Sequence, residues 1–379
     1  MDRRFAQSGL KDPPAPDDIA FSAASSADDG DIRRILREVA TDGWIRISLE
    51  REPSAFAAPL RGARHDFIVA RERESGEIVG VCEQSLHQVF VDRKPAALPY
   101  LGGLRVARKH RHRIAILKGG FRAVRSLLRD PLALPYALTA IAAENQIALR
   151  ILGASLPGMP TYQPLEEFST LAIRPSLRFR ADLRCRIATE DDLPAIAAHL
   201  RRCYQNLQFA PEWTAASLAA CRDLDATDFI VVRRGREIAA CVALWNQQRF
   251  KQTTVRGYSG LRGKLRPAIN LVAPLFGSPR LPRPGRHLGE VFLSHLAVDD
   301  DDPGLFMALI DTALAEARRR NFAVALLGLL SRHALAAIAA ARYRPREYRS
   351  LLHLVHWDRS HTAAAAAQAP MPHVEIAML

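Results

Sequence analysis

The sequence gives one series of motifs twice, and this repetition limits what the chain can fold into. Gly76-Glu77-Ile78-Val79-Gly80 is followed by Leu101-Gly102-Gly103-Leu104-Arg105-Val106, a stretch with helical spacing, and Ile141-Ala142-Ala143-Glu144-Asn145. Later, Gly235-Arg236-Glu237-Ile238-Ala239-Ala240 precedes Leu293-Ser294-His295-Leu296-Ala297-Val298, a second helical stretch, and Leu326-Leu327-Gly328-Leu329-Leu330. The copies lie about half the chain apart, too far for a solenoid unit and the right distance for two versions of one globular domain. The expected division is a flexible leader at 1–18, domains at 19–175 and 184–357, and a flexible tail at 358–379.

With 379 residues, 48% of them hydrophobic, each half can bury its own core. The N-terminal residues lead into Pro13, Pro14 and Pro16 without an apolar signal region, and no apolar run approaches the roughly 20 residues that span a bilayer. A cytoplasmic protein with no transmembrane segment is expected. Five cysteines, none in a C-x-x-C arrangement, read as reduced thiols, and no metal is expected. A net charge of +13 favours anionic partners: a phosphorylated cofactor, nucleic acid or an anionic membrane surface.

Periodicity gives each half the same order. Strands at Ile19–Ala23 and around Cys185–Ala188 precede helices at Asp31–Val39 and Asp191–Arg202, with acidic turns suited to N-caps. Hairpins follow: Phe67–Arg71 with Glu77–Phe90, and Asp228–Arg233 with Glu237–Trp245. Phe306, Leu309, Ile310, Ala313, Leu314 and Ala317 recur at helical spacing behind Pro303. Strand–helix–strand crossovers of this kind imply parallel neighbours, so the fold class is α/β with a mixed sheet flanked by helices in each half. The second half carries an insertion, 246–288, rich in Arg, Pro and Gly and without clear periodicity. Gly119-Gly120 would delay or bend the first-half helix, leaving Arg111–Gly120 as an irregular basic loop.

This order, with V-A-R-K-H-R-H-R after one central strand and E-N-Q-I-A-L-R-I-L after the next, resembles the GCN5-related N-acetyltransferase (GNAT) superfamily in tandem form. The resemblance implies acetyl-CoA or a longer acyl-CoA as co-substrate, held where two parallel strands splay, and transfer to the amine of a small molecule or peptide. Arg111 falls on the family's phosphate-loop arginine. Ile114 and Ile116 stand at its glycine positions, and Ala115 is the small residue between them. The implied cofactor contacts are Leu104, Arg105, Val106, Arg111, His112, Arg113, Ile114, Ala115, Lys118, Asn145 and Ala148. The family's acidic Tyr position is Leu152 here, which leaves Tyr162 as the nearest substitute. Glu83, His87 and Tyr100 are the candidate bases. In the second half Asp299-Asp300-Asp301-Asp302 would repel a phosphate, so Glu290, His295 and Tyr343 are expected to form a cleft that recognises substrate.

No G-x-S-x-G, P-loop or H-E-x-x-H motif competes. Two other classes stay open: a non-catalytic binder of acyl-CoA or another anion, and a peripheral protein bound to nucleic acid or an anionic membrane. Sparse aromatics argue against a single-strand nucleic-acid platform. Oligomeric state is left open.

Overall fold

The computed structural model describes residues 18–39, 45–56, 64–127, 130–272, 281–357 and 370–379. The expected leader, apart from Asp18, and residues 358–369 of the expected tail lie outside them. The first half runs β1 (Ile19–Ala23), α1 (Asp29–Glu38), β2 (Ile45–Glu50), β3 (Arg64–Glu72), β4 (Ile78–Val91), β5 (Lys94–Val106), α2 (Ile114–Leu127), β6 (Tyr136–Ala142), α3 (Gln146–Gly153) and β7 (Thr161–Ile173). The second runs β8 (Cys185–Ile187), α4 (Leu193–Tyr204), α5 (Ala215–Ala219), β9 (Phe229–Arg234), β10 (Glu237–Trp245), β11 (Gln252–Tyr258), α6 (Leu261–Lys264), α7 (Arg266–Val272), β12 (Glu290–Val298), α8 (Pro303–Arg319), β13 (Val324–Leu330), α9 (Ala334–Tyr343) and β14 (Arg346–His356).

These strands make one mixed sheet, ordered β1-β3-β4-β5-β6-β14-β7-β13-β12-β10-β9-β8. A separate sheet in each half was the expectation, and the last strand of each half overturns it. β7 pairs with β13 and β14 with β6, while β7 and β14 also pair antiparallel with each other. Each half therefore covers an edge that the other would leave open, and unpaired edges are a liability for any sheet. The insertion contributes β11, which pairs antiparallel with β2 in a small sheet of its own.

Helices cover both faces. On one, Ile32 and Ile35 of α1 pack on Phe67 and Val81, and Ile196 and Leu200 of α4 on Cys241 and Trp245. On the other, α2 and α3 bury Phe121, Val124 and Leu152, and α8 buries the expected series Phe306, Leu309, Ile310, Ala313, Leu314 and Ala317.

Two expectations need correction. α2 starts at Ile114 and runs unbroken through Gly119 and Gly120. A Cβ on Gly119 would lie 2.3 Å from the ring of Phe21, so the glycine admits β1 rather than breaking the helix. Second, the chain's last ten residues are packed: Val374, Ile376, Ala377 and Met378 are buried in the core, with a 3-10 turn at Ile376–Met378.

Candidate site at two unequal strand openings

Parallel strands part twice in the sheet. β5 and β6 pair only at Tyr100 and Leu138, whereas β12 and β13 stay paired from Glu290–Val324 to Leu293–Leu327. Beyond these points the strands splay. Each opening sits beside an irregularity in the neighbouring antiparallel pair, between Val81 and Glu83 in β4 and between Cys241 and Ala243 in β10. The bulged residue on the other strand has positive φ in both cases, 58° at Gly103 and 53° at His295. Glycine adopts this conformation without strain; histidine does not. In the first opening Thr139 Oγ1 donates to the Leu101 carbonyl at 2.7 Å.

Beside the first opening is a cavity of about 30 Å³, lined by Ile68, Cys82, Leu104, Arg105, Ile116 and Phe121 among others. Burial pushes the Cys82 thiol up to about 12, so it stays protonated. Among the described residues the Arg105 guanidinium bonds its neighbour's carbonyl, Leu104 O, at 2.9 Å, and desolvation lowers its pKa against the opposing pull of Glu83. Past β5 the chain makes a 3-10 turn, Arg108–His110, and enters α2, whose first turn holds no acidic residue. Two cations of this stretch are already paired, Arg113 with Asp18 at 2.7 Å and Lys109 with Glu77 at 2.7 Å. Arg105, Arg111 and Lys118 have no carboxylate partner among the described residues. Arg111 and His112 are exposed, as is Ile114; Ala115 is half-buried, and Ile116 is buried against Ile19 and Val79. Asn145 caps α3, its Oδ1 accepting from Ala148 N at 3.1 Å.

The candidate catalytic residues fall on opposite faces. Tyr162 packs with Phe121 and Leu152 on the α2/α3 face, where burial holds its hydroxyl well above the ordinary tyrosine range. Tyr100 belongs to the core on the other face, its ring 5.8 Å from that of His87. Glu83 and His87, which alternation would also allow as a solvent-facing strip, are buried. Glu83 accepts from Arg51 Nη2 at 3.0 and 3.2 Å and lies 3.0 Å from His65 Nε2. His87 Nε2 is 2.7 Å from Ser85 Oγ. The Glu83 side chain lies over the bulge, 3.0 Å from where a Cβ on Gly102 or Gly103 would stand. Arg51 and His65 escape the sequence reading. His65 is placed opposite Ser85 by strand register, and Arg51 follows β2 with no local pattern to mark it.

The second opening is filled by the chain itself. Glu375 Oε2 accepts from the bulged His295 N–H at 2.7 Å, and Gly328 of β13 is small because a Cβ there would stand 2.5 Å from Ile376 and from Phe168. Burial pushes the Glu375 carboxyl up to about 7, against its backbone hydrogen bonds. The expected cleft of Glu290, His295 and Tyr343 is not formed. The His295 ring is enclosed by Trp213, Phe229 and Trp245, and desolvation brings its pKa down to about 3. Tyr343 lies on the opposite face beside Phe179, and Glu290 Oε1 accepts from Thr253 N at 3.1 Å. At the start of α8, Asp302 accepts from Gly304 N and Leu305 N, so a carboxylate of the chain already occupies that helix end.

One cluster bears on the expectation of no metal. His199, Cys203 and Asp299 bring three ligand atoms within 4.8 Å of one another. Arg202 Nη2 lies 3.0 Å from His199 Nδ1 and 3.2 Å from Asp299 Oδ1, so the chain's own cation stands among them.

No protein-family model matches this sequence, and no curated protein matches it. Solved structures do match the fold. The fold is similar to that of Saccharomyces cerevisiae N-myristoyltransferase with bound myristoyl-CoA, at 12% identity and TM-score 0.60 over 96% of this chain and 91% of that one. Another structure of that enzyme with bound myristoyl-CoA gives 13% and 0.60, covering 96% and 86%. A GCN5-related N-acetyltransferase from Sphaerobacter thermophilus gives 12% and 0.52, covering 97% and 100%. The chain has a mixed α/β fold of the GNAT type. Among the described residues no helix is long and apolar enough to cross a membrane.

Proposed function

We propose that this chain is an N-acyltransferase built from two tandem GNAT-like halves, in which the first half takes one acyl-CoA and the second shapes and supports the acceptor side. The inequality of the two openings carries this reading. One has Arg105, Arg111 and Lys118 without carboxylate partners among the described residues, around a helix start free of acidic residues. The other holds Glu375 against the bulge and Asp302 on the helix start, and a second phosphate would meet like charge there.

In the reaction, a neutral amine attacks the thioester carbonyl carbon, the carbon–sulfur bond breaks, and the CoA thiolate takes a proton. Tyr162 is the donor in this reading; its hydroxyl is protonated, but burial weakens it as an acid, so transfer to the thiolate requires that burial to be relieved when CoA is bound. The amine loses its proton on the opposite face. Glu83 is held by Arg51 and His65, so the base is His87, and Glu83 fixes the bulge whose main-chain N–H groups face the developing oxyanion. The small cavity suits a short acyl terminus, with longer chains requiring the strands to part further.

The test is calorimetry with acetyl-CoA and longer acyl-CoA esters, expecting one site per chain, weakened by Arg105→Glu with Arg111→Glu. Tyr162→Phe should keep CoA binding and lower turnover by about 10²–10⁴. Binding without turnover over a broad amine panel would favour the non-catalytic binder, a reading to which the ion-paired Glu83 already lends support. Two equivalent CoA sites would sink the proposal.

A further inference from the structure

The insertion 246–288 contains nine Lys and Arg and no Asp or Glu. Three of the cations have partners: Arg249, exposed, pairs with Asp223, while Lys251 donates to Leu379 O and Arg256 pairs with Glu50. Lys264, Arg283 and Arg286 are exposed and have no carboxylate partner among the described residues.

Within this basic segment α7 is turned inside out. Its polar residues hold it down: Arg266 Nη1 donates to Leu281 O at 3.1 Å, Asn270 Nδ2 donates to the same carbonyl at 2.9 Å, and Asn270 Oδ1 accepts from Leu281 N at 2.6 Å. Four residues apart, Arg266 and Asn270 share one face. Two of its apolar residues look outward, Leu271 at 80% exposed and Val272 at 42%, as does Leu265 just before the helix at 46%, while Ile269 is half-buried. An amphipathic helix in a globular protein normally faces the other way.

We propose that the α7 face of the insertion docks on an anionic phospholipid surface. Exposed leucine and valine beside unpaired lysine and arginine match the acyl boundary beneath negatively charged headgroups, where apolar burial and electrostatic attraction add. A nucleic-acid backbone would satisfy the cations and gain nothing from Leu271, and among the described residues of the insertion no aromatic side chain is exposed for stacking on a base. The insertion has no counterpart in the first half, so docking through it belongs to the second half alone.

Sedimentation of the full chain with sucrose-loaded phosphatidylcholine vesicles, with and without phosphatidylglycerol, tests the proposal. Binding is expected only with phosphatidylglycerol and should fall as salt rises. Leu271→Asp with Val272→Asp should weaken it on the order of tenfold, as should Lys264→Glu with Arg283→Glu. These exposed positions leave thermal unfolding unchanged. CoA binding by the variants should match that of the wild type, so docking and acyl transfer succeed or fail separately. No sedimentation with phosphatidylglycerol, unchanged binding by the Leu271/Val272 variant, or a preference for duplex DNA or RNA over the vesicles would each overturn the proposal.

Discussion

Gly119 and Gly120 are adjacent on one helix and should respond oppositely to alanine. At Gly119 the new methyl would meet Phe21 at 2.3 Å; at Gly120 its nearest neighbour is Phe21 at 4.0 Å, an ordinary contact. Gly119→Ala should destabilise by roughly 1–3 kcal/mol through overpacking, and Gly120→Ala should stabilise by up to about 1 kcal/mol through helix propensity. Urea unfolding of the two variants checks the sign of each. Glu375 gives a pH signature. Its carboxyl titrates at about 7 in the folded chain against 4.5 ordinarily, so the folded state binds more protons between those values. The stability it contributes is full below pH 4.5 and is lost as pH rises through 7, a fall on the order of 3 kcal/mol. Glu375→Gln should flatten that slope in denaturation curves taken at pH 5 and pH 8. At this scale the sequence showed little of the site. Asn145 could be foreseen as a cap because capping is local, whereas the Arg51–Glu83–His65 cluster joins strands and a loop whose register no local pattern encodes.

Among the elements, the terminal segment has the largest effect on the second opening. Ile376, buried between Gly328 and Phe168, anchors it. Ile376→Ala should cost about 2–5 kcal/mol and leave acyl-CoA affinity at the first opening unchanged, which calorimetry on the variant would show. A matching loss of CoA affinity would mean that the two openings are coupled. Elements with a strong local pattern were legible. β1 and β10 match the ranges read from sequence, and α8 buries the residues its spacing selects. β7 and β14 were not assigned. Pro164, Glu166 and Glu167 interrupt one, and the other opens Arg346-Glu347-Tyr348-Arg349, so neither alternates like a half-buried strand. Pairing with each other and with β6 and β13 makes them strands despite their composition.

For the molecule as a whole, the exchange of β7 and β14 makes the halves interdependent. Residues 1–175 expressed alone would leave β7 without either partner, and residues 176–379 would leave both flanks of β14 open. Each fragment should be insoluble or unfolded alone, and co-expression should yield a soluble complex with native circular dichroism; a folded, monomeric first fragment would contradict this. The repeat in the sequence reveals the two halves but not their exchange. The same strands set a schedule for synthesis. β6 ends at Ala142, and the strand that covers its outer edge begins at Arg346. At roughly 5–20 residues per second, translation of the intervening segment takes on the order of 10–40 seconds. Throughout that interval the nascent first half carries an uncovered strand edge on a polysome crowded with identical chains. Protection from pairing between neighbouring nascent chains then rests on the ribosome and its chaperones, because the covering strand is made only after the whole intervening segment.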